Sequence, residues 1–524
     1  MSQTVSAVES AAPIRANRLF VGSCVALTGA AIMFAISGDI ALALKRQFVL
    51  SNEQVGWILG ATWGFTAAIF VLGPLCDALG MRTVMGFAFA CHLIGPLVMI
   101  FANGFVMLYG GMLIHALGSG AVEAACNPLI ATIYPDRKTH KLNQFHMWFP
   151  GGIVIGGLVA YGLTQAHLDL WRLKLAVVVA PALVYGVIFW GCEFPATERV
   201  QSGVSFGQMW RETLLRPLFL VLLVCMMMTG SLELGPQQWI APVLQAGGVP
   251  GILVLVWITG LMAVLRLLAG PVVQTLRNTG ILLISAVLAG VGLTMLSYAS
   301  NVWLIGVAAT IFAVGVCYFW PTMLGTAAER VPMGGALALA LLGGTGSLFV
   351  SVVTKPVMGG IADHYVHREL SSQAVEPRTV AMLQHIDLSY RQWISSLGTS
   401  KADEVTRQDA ADAMKSIEDV LAAWTTHGSL PEITTARALE SAIKNGPPDG
   451  AGGAARDAAE AKGEADKLLS PAENHGGLIS FRFVAPLSII LVVIFGVMYI
   501  QDRVRPQALA GRSGSDVKIR KEGA

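Results

Sequence analysis

Twelve apolar stretches, each near the length a helix needs to cross a bilayer, constrain this chain more than any other feature. They run near 19–43, 55–76, 83–102, 104–133, 146–166, 170–192, 215–245, 250–272, 278–300, 302–326, 335–361 and 481–501. A hydrocarbon core about 30 Å thick takes about 20 apolar residues of helix. Lipid supplies no hydrogen bonds, so each stretch must satisfy its own backbone, which a helix does. The expected fold class is therefore an all-α membrane protein of twelve transmembrane helices. Composition agrees: 54% of residues are hydrophobic and 13% charged, against about 25% charged in a soluble domain. The first apolar run follows a polar lead containing Arg15 and Arg18, passes Asp39 and shows no small-residue cleavage site. It reads as a span rather than a signal peptide.

The two halves of the chain echo each other. Gly73-Pro74-x-x-Asp77-x-Leu79-Gly80-x-Arg82 after span 2 is answered by Gly270-Pro271-x-x-Gln274-x-Leu276-Arg277 after span 8. Asn127-Pro128 is answered by Trp320-Pro321, and Gly151-Gly152 by Gly343-Gly344. Three pairs at nearly constant offset point to duplication, hence two six-helix bundles with a site at their interface, the architecture of major facilitator transporters. Basic residues orient the chain. With the N-terminus inside, the cytoplasmic loops hold Arg82, Arg137, Lys138, Lys141, Arg199, Arg211, Arg216, Arg277 and Arg330, and the outer loops hold Lys45, Arg46, Arg172 and Lys174. That excess puts both termini in the cytoplasm of an inner-membrane protein.

The expected division is a cytoplasmic tail at 1–18, a six-helix bundle at 19–192, a cytoplasmic linker at 193–214, helices 7–11 at 215–363, an extracytoplasmic insertion at 364–480, helix 12 at 481–501 and a cytoplasmic tail at 502–524. The insertion carries 17 acidic and 11 basic residues. Residues 402–425 look helical, 446–453 read as a flexible break, and Ile394, Leu397, Val420, Leu421 and Trp424 offer a small apolar face. The bland reading is a tolerated insertion; the alternative is a cap that contacts a partner or substrate, and its partner is unknown from the sequence.

Charge within a bilayer costs about 2.5–3.5 kcal/mol on lenient scales, so intramembrane ionisable residues are the candidate site. Asp39, Glu123 and Glu233 fall in spans 1, 4 and 7. Each is a candidate for proton coupling or solute contact, or else a packing carboxylate. Glu123 and Asn127 share a helix face, and His146 opens span 5 among aromatics. Gln237, Trp239 and Trp320 join the substrate-binding candidates, although aromatics at helical spacing are more often core. Asp77, Arg82 and Arg266 lie by the loops after spans 2 and 8 and read as gate residues. Lys355, near the outer end of span 11, reads as a lysine that snorkels to the surface, or else as a substrate or ion-pair residue. His92 and His115 read as packed histidines. The seven cysteines avoid the polar insertion, so no disulfide framework is expected. No Walker loop, zinc-ligand cluster or nucleophile elbow is visible; neither an enzyme nor a cofactor is expected. No basic face suited to nucleic acid appears.

Several of these residues fall into a family pattern. Glu123-Ala-Ala-Cys-Asn127-Pro128, Lys141-Leu142-Asn143 and Gly152 keep its offsets. So do Asp39 before Phe48-Val-Leu-Ser-Asn52, then Gly230, Glu233 and Trp239, then Trp320-Pro321-Thr322, and Thr354-Lys355-Pro356-Val357-Met358-Gly359 with Asp363. On these the chain resembles the fucose:proton symporter family of the major facilitator superfamily. It departs from that family at His146, where the family has Gln, and at Trp148-Phe149, where it has Phe-Asn. The resemblance implies secondary active, proton-coupled uptake of a monosaccharide, with the bilayer, a sugar and protons as partners and Asp39 and Glu123 as coupling candidates. The rival readings are a facilitator or exporter of another polar solute, and a non-transporting sensor acting through the 364–480 insertion.

Overall fold

The computed structural model describes residues 15–134, 141, 144–168, 170–195, 216–331, 335–398, 401–448, 450–453 and 455–504. The readings of Arg137, Lys138, Leu142, Asn143, Arg199 and Arg211, of residues 1–14, of most of the 193–214 linker and of the tail beyond 504 lie outside these residues.

Among the described residues, eleven helical segments are long and apolar enough to cross a membrane, and the 17-residue apolar helix Gly251–Leu267 makes a twelfth. In chain order the first half comprises α1 (Ala16–Phe48), α2 (Asn52–Gly60), α3 (Trp63–Leu79), α4 (Met81–Ile100), α5 (Phe105–Ile133), α6 (Trp148–Gln165) and α7 (Trp171–Phe189). The second half begins with α8 (Pro217–Ala246), α9 (Gly251–Leu267), α10 (Ala269–Ser297), α11 (Val302–Val316), α12 (Phe319–Arg330), α13 (Gly335–Phe349) and α14 (Lys355–Leu370). Spans 2, 10 and 11 are each two helices in series. A turn at Ala61–Thr62 separates α2 from α3, a break at Cys317–Tyr318 separates α11 from α12, and a wide π-turn at Val350–Thr354 joins α13 to α14. The chain is a multi-pass membrane protein of two six-helix bundles with a large polar insertion before the last span.

The internal repeat survives in the backbone. Gly80 turns the chain from α3 to α4 with φ of 81°. At the matching position, Arg277 bends α10 with φ of 54° and ψ of 166°, a conformation that favours glycine. The second half has kept the corner and lost the glycine.

The insertion is helical: α15 (Glu376–Ser396), α16 (Lys401–His427), α17 (Thr434–Asn445) and the first part of α18 (Ala455–Val484). Its own core includes Leu383, Ile386, Tyr390, Ile417, Leu439 and Leu469, and Ile394, Leu397, Val420, Leu421 and Trp424 all contribute to that core. Residues 446–448 and 450–453 are irregular. Helices run through both expected edges, 363 and 480. Helix α14 continues to Leu370, and α18 runs unbroken to Val484 before α19 (Leu487–Val504) completes the last span. The insertion is thus carried on two helices of the second half, α14 and α18, which pack along each other.

The halves meet where α1 faces α8, α2 faces α14, α3 faces α13, and α6 faces α9. Glycines let the backbones close. A Cβ on Gly56 would stand 2.6 Å from the Lys355 carbonyl oxygen, one on Gly60 2.2 Å from that of Ser351, and one on Gly359 2.2 Å from that of Asn52. Hydrogen bonds cross the same seam: Gln238 Nε2 to Ser37 Oγ at 2.9 Å, Thr62 Oγ1 with Ser351 Oγ at 2.8 Å, and Thr66 Oγ1 to the Gly344 carbonyl at 3.1 Å. Asp363 on α14 caps α2 from the other half. Its Oδ1 accepts from the Asn52 backbone N–H and from Asn52 Nδ2, and its Oδ2 from the Glu53 N–H, all at 2.9 Å. A carboxylate is well matched to the free N–H groups of a helix start. This seam occupies the insertion-bearing end of the bundles.

Candidate functional site

The first half supplies a three-residue polar group. Glu123 and Asn127 lie one turn apart on α5, and Asn127 Nδ2 donates to Glu123 Oε2 at 2.6 Å. His146, just before α6, places Nε2 3.1 Å from Asn127 Oδ1 and Nδ1 3.8 Å from Glu123 Oε1. The Glu123 carboxylate is mostly covered, with its side chain 14% exposed, whereas the His146 side chain is 47% exposed. Trp148 beside it is also exposed. The group is therefore open toward the end of the bundles opposite the insertion.

The second half supplies an answering group. Glu233 is buried on α8, and Arg266 Nη2 on α9 donates to its Oε1 at 3.2 Å. Arg266 Nε donates to the Cys317 carbonyl at 2.8 Å. That carbonyl lies at the α11–α12 break, where helix-end carbonyls lack an intrahelical partner. Tyr318 donates its hydroxyl to the Leu265 carbonyl at 2.8 Å, which braces α9 against the break. Trp320 follows it, partly buried, beside Gly343. Arg266, expected as a gate or loop contact, joins its guanidinium to Glu233.

Other candidates sit elsewhere. Asp39 is buried within the first half, where Lys174 Nζ on α7 donates to its Oδ2 at 2.6 Å and to Thr164 Oγ1 at 2.9 Å. Gln237 is buried, with Nε2 3.4 Å from Met262 Sδ. Trp239 is buried nearly two turns beyond Glu233 and lines a small cavity with Lys45, Asn52 and Glu473, under the insertion. Asp77 lies in the last turn of α3, but its side chain is outside the described set; Arg82 is exposed in the first turn of α4. His92 and His115 stack with centroids 4.6 Å apart, and His92 Nε2 lies 3.1 Å from Ser119 Oγ. They are packed histidines.

Three lysines were misread. Lys45 and Lys174 were counted as outer-loop charges, and Lys355 was expected at the surface; all three are buried. Lys355 Nζ reaches across the seam to the Leu59 carbonyl at 2.9 Å and Thr62 Oγ1 at 3.0 Å, where the α2–α3 turn opens the backbone. One cue was available: Lys174 and Lys355 interrupt apolar stretches rather than flank them. Among the described residues, no group of three or more His, Cys, Asp and Glu side chains is suited to hold a metal.

Two facing six-helix bundles, with a paired carboxylate in each half, define a membrane protein of the transporter class. The chain belongs to the Major Facilitator Superfamily, whose sequence profile matches residues 19–353. Two curated relatives align with part of it. Monosaccharide-sensing protein 2 of Arabidopsis thaliana is 27% identical over 154 residues, covering 29% of this chain and 21% of that protein. Glucose transporter GlcP of Staphylococcus epidermidis is 29% identical over 164 residues, covering 30% of this chain and 34% of that protein. The chain thus spans about a fifth to a third of the length of these relatives. The xylose transporter XylE from E. coli, in a partially occluded inward open conformation, superposes with a TM-score of 0.55 at 14% identity over 66% of this chain and 91% of that one. At that identity the likeness is one of fold.

Proposed function

We propose that this protein is a secondary active transporter that couples proton entry to uptake of a monosaccharide by alternating access, in an inner membrane with both termini cytoplasmic and the 364–480 insertion outside. The observation that carries this reading is the Glu123–Asn127–His146 group, partly covered and open on the face away from the insertion. A carboxylate, an amide and an imidazole offer both donors and acceptors, which matches the needs of sugar hydroxyls. Trp148 and Trp320 give apolar faces for a sugar ring. Glu123 takes the coupling role because, among the described residues, its charged neighbour is His146 and not a lysine or arginine. Asp77 and Arg82 serve the gate on the cytoplasmic face. The partial alignments with a glucose transporter and a monosaccharide-sensing protein support the substrate class.

Membrane potential supplies about 2.3 kcal/mol per charge per 100 mV, which a titrating Glu123 links to solute entry. A second reading, a facilitator of a polar solute, draws on the other two carboxylates. Asp39 and Glu233 each sit against a basic side chain, Lys174 and Arg266. Proteoliposomes loaded at about pH 7.5 and diluted to about pH 6, a gradient that spans the histidine range at about 6.5, separate the two. Uphill accumulation of a labelled monosaccharide, abolished by an uncoupler, supports the symporter. Equilibration without accumulation supports the facilitator, and no flux of any sugar in a hexose and pentose panel removes both.

A further inference from the structure

We infer that Lys45, with Glu440 and Glu473, forms the outer gate of the transport cycle, the insertion acting as a latch that the second half closes onto the first. The inference rests on the alternating-access reading above and adds to it a gate built outside the twelve-helix fold.

Covalent attachment and contact point in opposite directions. The insertion is carried by α14 and α18, helices of the second half, yet its charged contacts are made to the first half. Lys45, in the last turn of α1, pairs with Glu440 on α17 at 2.7 Å and with Glu473 on α18. Arg46 Nη2 pairs with Asp466 Oδ1 at 2.9 Å and donates to Ser470 Oγ at 2.7 Å. Arg437 on α17 reaches Gln54 Oε1 on α2 at 3.3 Å. Lys45, Glu440 and Glu473 are each under 7% exposed. A cap evolved only to ride on its own bundle has no need to bury charge against the other.

The cluster is also poor as a static fastening. Glu440 Oε2 and Trp239 Nε1 are buried without a hydrogen-bond partner among the described residues, and Glu473 Oε2 meets Arg46 Nη2 only at 3.7 Å. They gather around the small cavity between α1, α8 and α18. Buried groups left unpaired cost stability that water repays on exposure, and a buried ion pair is weak evidence of net stabilisation. The closed seam is thus held by contacts that opening partly compensates, as a gate that cycles requires. Rocking the halves apart at this end must break Lys45 from both carboxylates, Asp363 from the α2 start and Lys355 from Leu59.

Valine 55 lies buried on α2 and lines the same cavity, so a cysteine there reports opening without reference to any substrate. Purified full-length protein carrying Val55→Cys is treated with a water-soluble maleimide, the native cysteines being buried in both halves. Adding Lys45→Met is expected to raise the labelling rate at position 55 by more than about tenfold, since it removes both charged contacts of Lys45, while native Cys126 in the first-half core stays unreactive. Since Lys45→Met leaves two buried carboxylates, Glu440→Gln is run beside it; it keeps shape and the Lys45–Glu473 pair, and is expected to raise labelling by a smaller factor. Unchanged labelling in both variants overturns the gate, and so does labelling that rises equally at Val55→Cys and Cys126, which marks loss of fold. Faster labelling at position 55 in protein that moves no sugar upholds the latch and defeats only the transport reading.

Discussion

Lys174 is the fourth residue of α7, with its Nζ on the Asp39 carboxylate and both side chains buried. Hydropathy reads a basic residue near the end of an apolar run as a loop charge, since its partner is 135 positions away in sequence. The same blindness hid Lys45, whose partner Glu473 is 428 positions away. What was legible at this scale was the local pair, Glu123 and Asn127 four apart on one face; that His146 joins them was not. Removing one member of a buried pair leaves the other uncompensated, at a cost of about 3–5 kcal/mol. Lys174→Met should therefore lower the thermal unfolding midpoint sharply, and Asp39→Asn/Lys174→Met should recover most of the loss; equal midpoints for the two variants would contradict the pair. Glu123→Gln addresses coupling. The amide keeps the shape of the carboxyl without titrating, so uphill accumulation under a pH gradient should vanish while sugar exchange at equal pH persists. Normal uphill uptake by that variant would take Glu123 out of the mechanism.

Duplicated elements were the most legible part of the sequence, because glycine and proline mark positions where the backbone itself is constrained. Gly80 and Arg277 share a backbone corner, and only the first is filled by the residue that suits it. Holding an arginine at φ of 54° stores about 1–3 kcal/mol of strain. Arg277→Gly should raise thermal stability, and an unchanged or lower midpoint would show that the guanidinium compensates the corner. Beyond the repeat, the insertion helices were visible but their docking was not, since neither α17 nor α18 shows in its own sequence which bundle it faces. The docked cluster also carries a pH dependence. Burial pushes the Glu440 carboxyl up to about 8, with Lys45 of α1 pulling it down and Glu473 of α18 and Asp363 of α14 pushing it further up. Undocked, the carboxyl returns to its ordinary range near 4.5. A raised value in the docked state means that docking takes up a proton. Its contribution is full at low pH, falls as pH rises above about 4.5 and is spent near about 8. Maleimide labelling at Val55→Cys should speed up across that window, and Glu440→Gln should flatten the profile.

For the whole molecule, the twelve-helix plan followed from hydropathy alone, while the side on which each half closes did not, because seam contacts such as Gly60 against Ser351 depend on packing between distant segments. Reporter fusions test the proposed orientation: one at residue 205 should report cytoplasm and one at residue 430 the exterior. A cytoplasmic signal at 430 would place the latch on the wrong side for an outer gate. Helix α18 has a mechanical role as well. Its 30 residues, at 1.5 Å each, make a lever about 45 Å long, rooted in the second half and braced by α14. A rigid-body rotation of about 15°, the size seen when packed subunits rock, moves the far end of such a lever by about 12 Å. That travel exceeds the diameter of a bare helix backbone, so the cap cannot slide over the first half and must swing clear through water. Anything bulky attached to α15 or α16 then adds drag to each swing, and the opening rate becomes a measure of what the cap is carrying.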